Sequence, residues 1–197
     1  MSDLQELLRG PVAEVAPRLL GARFTHGGVT VRLTEVEAYG GADDPGSHAH
    51  RGPTPRNAAM FGPAGRLYVY FTYGMHHCGN VVCGAEGEAC AVLLRAGEVV
   101  DGFEVARERR PRSTDRDLAR GPARLCRALD LDLADDGLDL ATALVPADLV
   151  ATGVSTGPRV GLRHAPDRPW RFWLTDDPTV SRYVPASPRR RRTRDPS

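Results

Sequence analysis

Between Glu35 and Asn57 the sequence "EVEAYGGADDPGSHAHRGPTPRN" gathers two glutamates, a tyrosine, two histidines and two arginines. Glutamate can activate water, tyrosine faces can stack on flat rings, histidine can ligate a metal, and arginine grips anions in bidentate fashion. Downstream, "GRLYVYFTYGMHHCGNVVC" adds Tyr68, Tyr70, Tyr73, the pair His76 and His77, and Asn80, and "ACAVLLRA" adds Arg95. Three readings compete. In the first, Asp, Gly and Pro simply make turns and the histidines satisfy backbone groups. In the second, His48, His50, His76, His77 and a glutamate hold a metal for a hydrolase, although neither H-x-H nor H-H matches a signature such as H-E-x-x-H. In the third, tyrosines wall a slot for an electron-poor ring, with a carboxylate beside it and arginines outside for phosphates.

The elements that must carry these residues are readable in outline. "GVTVRLTEVEAY" alternates as a β-strand, and strict period 2 puts Val29, Val31, Leu33, Glu35, Glu37 and Tyr39 on one face. Acids on the apolar side of a strand are costly unless they line a site. "GRLYVYFTYG" predicts a second strand, and "CGNVVC" with "ACAVLLRA" a hairpin around "GAEGE". "DLQELLRGPVAEVAPRLLG" predicts one or two short helices, with Pro11 able to start the second and Gly21 to cap its end. "DGFEVARERR" predicts a helix, and "GPARLCRAL" another with Gly121 as N-cap and Pro122 in the first turn. Pro111 to Leu118 reads as a charged loop, and "RVGLRH" and "RFWLT" as short late strands. Hairpin-linked strands with helices at the flanks predict an α+β fold.

Composition narrows the classes. A chain of 197 residues with 41% hydrophobic residues fits one domain with a real core, expected over 1–186, followed by a basic, disordered tail over 187–197. No apolar run approaches the roughly 20 residues of a membrane span, and no signal-peptide pattern opens the chain, so a cytoplasmic protein is expected. Cys78, Cys83, Cys90 and Cys126 show no C-x-x-C spacing and read as buried thiols. Net charge is only +1, but Arg107 to Arg127 carries eight arginines and Asp130 to Asp148 six aspartates and no base. All 26 Lys+Arg side chains are arginine; without a lysine ε-amine the chain has no lysine Schiff base or general base.

The ordered run "EVEAYGGADDPGSHAHRGPTPRNAAMFGPAGRLYVYFTYGMHHCGNVVC", followed by "ACAVLLRA" and "GPARLC", resembles the alkyladenine (3-methyladenine) DNA glycosylase family, which includes the human alkylpurine enzyme. The similarity extends from the first helix to about Tyr183. It implies a bacterial, monomeric, single-domain enzyme on a curved, mostly antiparallel sheet with flanking helices, using no metal or cofactor. Its substrate would be double-stranded DNA containing alkylated or deaminated purines, cut at the N-glycosidic bond.

Carried over by motif, the resemblance makes Glu37 the catalytic base and Arg95 the residue that orients it and its water. Tyr39 and Tyr70 become opposing pocket walls, His48 a contact to the base or its 5′ phosphate, and Asn80 a test of the purine edge. Tyr73 becomes the wedge that enters the duplex. Phosphate contacts are expected from Arg51 and Arg56, which could instead pin the loop, from Arg124 at a helix start, and from the "RVG" backbone around Arg159 and Gly161. Tyr68 reads as a core or strand residue and Glu35 as one half of a surface ion pair. The residue after Met75 is His76, where the human-like pattern has an aromatic.

The chemistry suits these types. A base must leave the stack to be reached, at a cost of a few kcal/mol, on the order of one unstacked pair. An aromatic wedge fills the gap. Tyrosine faces favour a cationic purine by about 1–2 kcal/mol when desolvated. A carboxylate across C1′ stabilises the oxocarbenium-like sugar and activates water. The same arginine surface would serve a catalytically silent DNA-binding protein, the third alternative beside the metal hydrolase.

Overall fold

The computed structural model describes residues 3–72, 74–147, 153–162, 164, 165 and 167–186. Tyr73 and the tail 187–197 therefore lie outside the described residues. The amino-terminal stretch forms two helices, α1 (Asp3–Leu7) and α2 (Val12–Arg18), with Pro11 in extended geometry at the N-cap. Strands β1 (Arg23–His26), β2 (Val29–Gly40), β3 (Leu67–Thr72), β4 (His76–Cys83) and β5 (Cys90–Asp101) follow. Helices α3 (Phe103–Arg109) and α4 (Pro122–Leu129) come next, the latter with Gly121 as N-cap and Pro122 in its first turn as expected. The chain closes on β6 (Leu144–Val145), β7 (Val154–Gly157) and β8 (Arg171–Leu174). Every pairing is antiparallel, in the order β3-β4-β5-β2-β1-β6, with β8 joining β2 to β7. The α+β class is as expected: a curled antiparallel sheet with helices against it.

Strand β2 carries the site and departs from period 2. Its pairing with β5 runs from Leu33↔Gly97 to Glu35↔Ala96 to Val36↔Leu94, so Thr34 on one strand and Arg95 on the other are extra residues. Each extra residue exchanges the two faces of its own strand. Val29, Val31 and Leu33 join the main core before the break, and Val36 and Ala38 join it after. Glu37 and Tyr39 are thereby turned away from the core and into a cavity. The single-face reading is corrected here: no acid has to sit among the apolar side chains of the strand. Gly97 fits this break. A Cβ there would lie 2.2 Å from Val31 Cγ1 and 2.6 Å from the Arg32 carbonyl, closer than any side chain tolerates.

At the same break β2 changes partner on its other edge, from β1 (Val29–Arg32) to β8 (Glu35–Glu37). The short strands β1, β6 and β7 carried no separate sequence signal. The expected strand "RVGLRH" does not form: Arg159 to Leu162 runs as extended chain and turn beside the cavity, because its groups bond to the site instead of to a ladder. The main core packs α2, α4 and the inner sheet face, while a smaller cluster of Ala49, Met60, Tyr68, Val82, Ala89 and Ala91 supports the cavity from below. Cys78, Cys83 and Cys126 are buried free thiols and Cys90 is half-buried.

Candidate active site

A cavity of ≈ 360 Å³ opens where β2, β3, β4 and β5 meet the 46–48 and 160–162 loops. Glu37, Tyr39, His48, Tyr70, Asn80, Arg95 and Gly161 all line it, so seven of the expected residues converge. Glu37 is wholly buried from bulk solvent. Its Oε1 accepts a hydrogen bond from the Val160 amide at 2.6 Å, and its Oε2 accepts one from the Tyr39 hydroxyl at 2.9 Å. Arg95 Nη1 faces Oε1 at 3.4 Å. Burial and the neighbouring Glu37 charge hold the Tyr39 phenol well above its usual range, so it stays a donor. Burial pulls the Arg95 guanidinium down, but the charges of Glu37 and Glu35 outweigh it and hold the group firmly cationic.

Tyr70 and His48 meet edge to face with ring centroids 4.4 Å apart, and Tyr68 lies tilted against Tyr70 at 5.6 Å. His48 Nδ1 pairs with the Tyr68 hydroxyl at 3.1 Å. Burial and the nearby Arg56 charge lower the His48 imidazole from its ordinary range, favouring the neutral ring. Tyr68 is thus both core, as read from sequence, and a support of the cavity wall. Asn80 donates Nδ2 to the Tyr68 carbonyl at 3.1 Å, which orients its amide at the cavity edge.

The other wall is Tyr39, and its back is filled by Arg159. That guanidinium stacks 4.7 Å from the Tyr39 ring centroid and 5.4 Å from the ring of Trp170, whose other neighbour is Arg168 at 4.7 Å. Arg159 also donates to the Ala38 carbonyl at 2.9 Å and pairs with Asp44 through both Nη atoms. Asp44 in turn accepts from the Gly40 and Gly46 amides, so one carboxylate ties the end of β2 to the cavity loop. Gly46 packs closely here: a Cβ there would lie 2.6 Å from Leu162 Cδ2, so a side chain would have to displace that leucine tip. Among the described residues no group hydrogen-bonds to the buried Arg159 Nε.

The phosphate assignments divide. Arg51, Arg56 and Arg124 are exposed. Arg56 donates to the Phe71 carbonyl at 2.6 Å and lies 5.7 Å from the Tyr70 ring centroid, so it pins the loop to β3 while remaining on the surface. The "RVG" backbone expected around Arg159 and Gly161 has its Val160 and Gly161 amides engaged within the protein. The Arg159 side chain is only 1% exposed and its guanidinium is committed to Asp44, while the Gly161 amide donates to the Val184 carbonyl at 3.0 Å. The Arg159 side chain is shut in behind the Tyr39 wall and the Gly161 amide is already engaged, so neither is open to a phosphate. Tyr73, the expected wedge, lies outside the described residues.

Glu35 is corrected as well. It is fully buried and bonded to Arg95 and Arg171 at 2.7 Å each and to the Ser181 amide at 2.6 Å. Burial raises its carboxyl, but the two guanidiniums and the amide outweigh burial and hold it below the usual carboxylate range. Asp44, Arg171, Ser181 and the Val160 amide went unnoticed in the sequence. Asp44 sits in a Gly/Pro turn that explains itself, and the others reach the site only through long-range folding. The ligand set of the metal reading does not assemble: among the described residues no three His, Cys, Asp or Glu side chains converge, and His50 instead bonds the Ala42 carbonyl at 2.6 Å. Among the described residues no helix is long and apolar enough to cross a membrane.

The sequence profile of the methylpurine-DNA glycosylase family matches residues 6–178. A protein of Streptomyces avermitilis named "Putative 3-methyladenine DNA glycosylase" is 52% identical over 202 residues, covering 96% of this chain and 95% of its own. Proteins of the same name from Frankia casuarinae and Nocardia farcinica are 53% and 54% identical, over 92% of this chain in each case and 92% and 91% of their own. With the profile covering most of the chain and half of all residues shared with such relatives, the chain belongs to the methylpurine-DNA glycosylase family and is a DNA-repair hydrolase of N-glycosyl bonds.

Proposed function

We propose that this chain is a monofunctional glycosylase that flips alkylated or deaminated purines out of double-stranded DNA and hydrolyses the N-glycosidic bond with water activated by Glu37. The observation that carries this reading is the placement of one buried carboxylate, held by Val160, Tyr39 and Arg95, at the floor of a cavity walled by tyrosines. The flipped purine lies between Tyr39 and Tyr70, with His48 and Asn80 at its edges. Glu37 faces C1′, stabilises the developing oxocarbenium, and takes the proton of the attacking water. Arg95 orients the carboxylate. A cationic alkylpurine departs with the bonding electron pair as a neutral base, a neutral purine such as hypoxanthine takes up a proton from solvent as well, and the strand keeps an abasic sugar bearing the hydroxyl of the attacking water.

Water is the nucleophile because the chain contains no lysine to attack C1′. Tyr73 is the wedge, and Arg51, Arg56 and Arg124 meet phosphates on the exposed rim. The working unit is a cytoplasmic monomer spanning 1–186. The test is a panel of duplexes, each carrying one of hypoxanthine, ethenoadenine, 3-methyladenine or 7-methylguanine, treated with alkali after incubation. Alkali-dependent breaks at the lesion support the reading. Binding of every duplex without excision would identify a silent DNA-binding protein, and excision abolished by a chelator would restore the metal hydrolase.

A further inference from the structure

Two glutamates, two residues apart on β2, share one arginine unequally. Arg95 Nε is hydrogen-bonded to Glu35 Oε1 at 2.7 Å, and Nη2 to the Ser181 hydroxyl at 3.3 Å. The remaining Nη1 faces Glu37 Oε1 at 3.4 Å, an ion-pair distance longer than a charge-assisted hydrogen bond. Glu35 also holds Arg171, whose Nη2 donates to the Ser181 carbonyl at 2.9 Å. Arg171 is braced by the Trp173 ring at 4.5 Å. Glu35 does not line the cavity and cannot touch substrate. Its carboxylate is nonetheless satisfied at both oxygens, all of it directed at the layer behind Glu37.

We propose that Glu35 is a positioning residue for base excision: it anchors Arg95 so that the guanidinium faces Glu37 without binding it fully, leaving that carboxylate able to accept a proton from water. This rests on the reading of Glu37 as the base. A guanidinium free to form a bidentate pair with Glu37 would neutralise it and weaken it as a base. Anchored by Nε and Nη2, Arg95 contributes orientation and charge from one side only. The groups facing Glu37 from the packed elements are Arg95 on β5, Tyr39 on β2, Cys78 on β4 and the Val160 amide. Glu35 and Arg171 form the charged layer behind them.

The experiment compares Glu35→Gln and Arg171→Gln with wild type in single-turnover excision across pH, on a duplex bearing a lesion the wild type excises. Affinity for the same duplex and thermal unfolding are measured alongside. Glu35→Gln removes a negative charge and frees Arg95 to pair with Glu37. The plateau rate falls by roughly 10–100-fold, as for outer-shell partners of reacting groups. The acid limb of the profile moves to lower pH, and duplex affinity stays within about 3-fold, because no substrate contact is lost. Arg171→Gln removes a positive charge and leaves Arg95 to Glu35 alone, so its acid limb moves to higher pH. Shifts of opposite sign support the proposal. A purely structural network lowers melting temperature and rate but leaves both limbs in place, and that result overturns it. If Glu35→Gln does not fold, the Arg171→Gln limb decides alone. Glu37→Gln run in parallel separates the two readings: its retention of wild-type excision sinks the assignment of Glu37, whereas an inactive Glu37→Gln with unmoved limbs in the other variants sinks only the role of Glu35.

Discussion

The Val160 amide donates a 2.6 Å hydrogen bond to Oε1 of Glu37, joining residues 123 positions apart in the chain. The Tyr39 hydroxyl satisfies the other oxygen. A glutamine in place of Glu37 can keep both contacts, with its oxygen toward Val160 and its amide toward Tyr39. Glu37→Gln is therefore expected to fold and to bind lesion duplex within a few-fold of wild type. Excision falls by several orders of magnitude, since an amide takes no proton from water. Single-turnover kinetics check this, and near wild-type excision would remove Glu37 from the mechanism.

Arg159 and Asp44 form a buried pair behind the Tyr39 wall. Removing one member of such a pair leaves an uncompensated charge and costs about 3–5 kcal/mol. Arg159→Met is expected to lower unfolding free energy by roughly that amount in urea titrations; a loss under about 1 kcal/mol would show the pair to be peripheral.

The same pair has a pH signature. Burial raises the Asp44 carboxyl, but Arg159 and the Gly46 and Gly40 amides outweigh it and hold it below the usual range. With its folded value depressed, the stabilisation is fully present above about pH 4, the unfolded range. It is lost as pH falls through the lowered folded value. Acid titration of unfolding free energy is expected to show this loss in wild type and a smaller one in Arg159→Met; equal acid sensitivity would contradict it.

Tyr73→Ala is expected to weaken binding and excision on double-stranded lesion DNA more than on single-stranded lesion DNA. A wedge is needed only where a base has left an intact stack. Parallel assays on the two substrates measure the ratio, and equal losses on both would assign Tyr73 to packing.

The absent lysine gives a covalent test. Glycosylases that also nick the strand form a Schiff base, which borohydride reduces to a stable adduct. This chain is expected to leave an abasic strand intact until alkali is added, and to yield no trapped adduct on gel electrophoresis. A trapped band from purified protein would refute attack by water.

Much of this site was legible in the sequence because its residues sit on local elements with strong patterns. Glu37 and Tyr39 fall on an alternating strand, Tyr70 and Asn80 on a hairpin pair, and Gly121-Pro122 mark a helix start. What escaped was parity and depth. Period 2 is local, but the extra residues Thr34 and Arg95 are defined only by pairing between strands 60 residues apart, so no window on β2 alone reveals them. Arg159 entered the expected site only through the "RVG" backbone, and nothing local marks its side chain as buried, because arginine is rarely fully buried. Its withdrawal depends on Asp44, Tyr39 and Trp170, which reach it from three other points in the chain. "RVGLRH" failed as a strand for the related reason that its amides were claimed by Glu37 and Val184.

The break at Thr34 divides β2 into two regimes of mutational tolerance. On the amino-terminal side Val29, Val31 and Leu33 are answerable to folding, so substitutions there register as loss of soluble protein. On the other side Glu35, Glu37 and Tyr39 turn away from that core, and under the proposed mechanism their substitution is expected to register as lost turnover, while Val36 and Ala38 between them still serve the core. Deleting Thr34 removes only the surplus residue: Leu33 and Glu35 already face the consecutive partners Gly97 and Ala96, so plain alternation keeps Val36 and Ala38 with the core and both carboxylates opposite. A library that admits single-residue deletions as well as substitutions is thus expected to tolerate loss of Thr34 better than loss of Val36, which would turn Glu37 and Tyr39 toward the core.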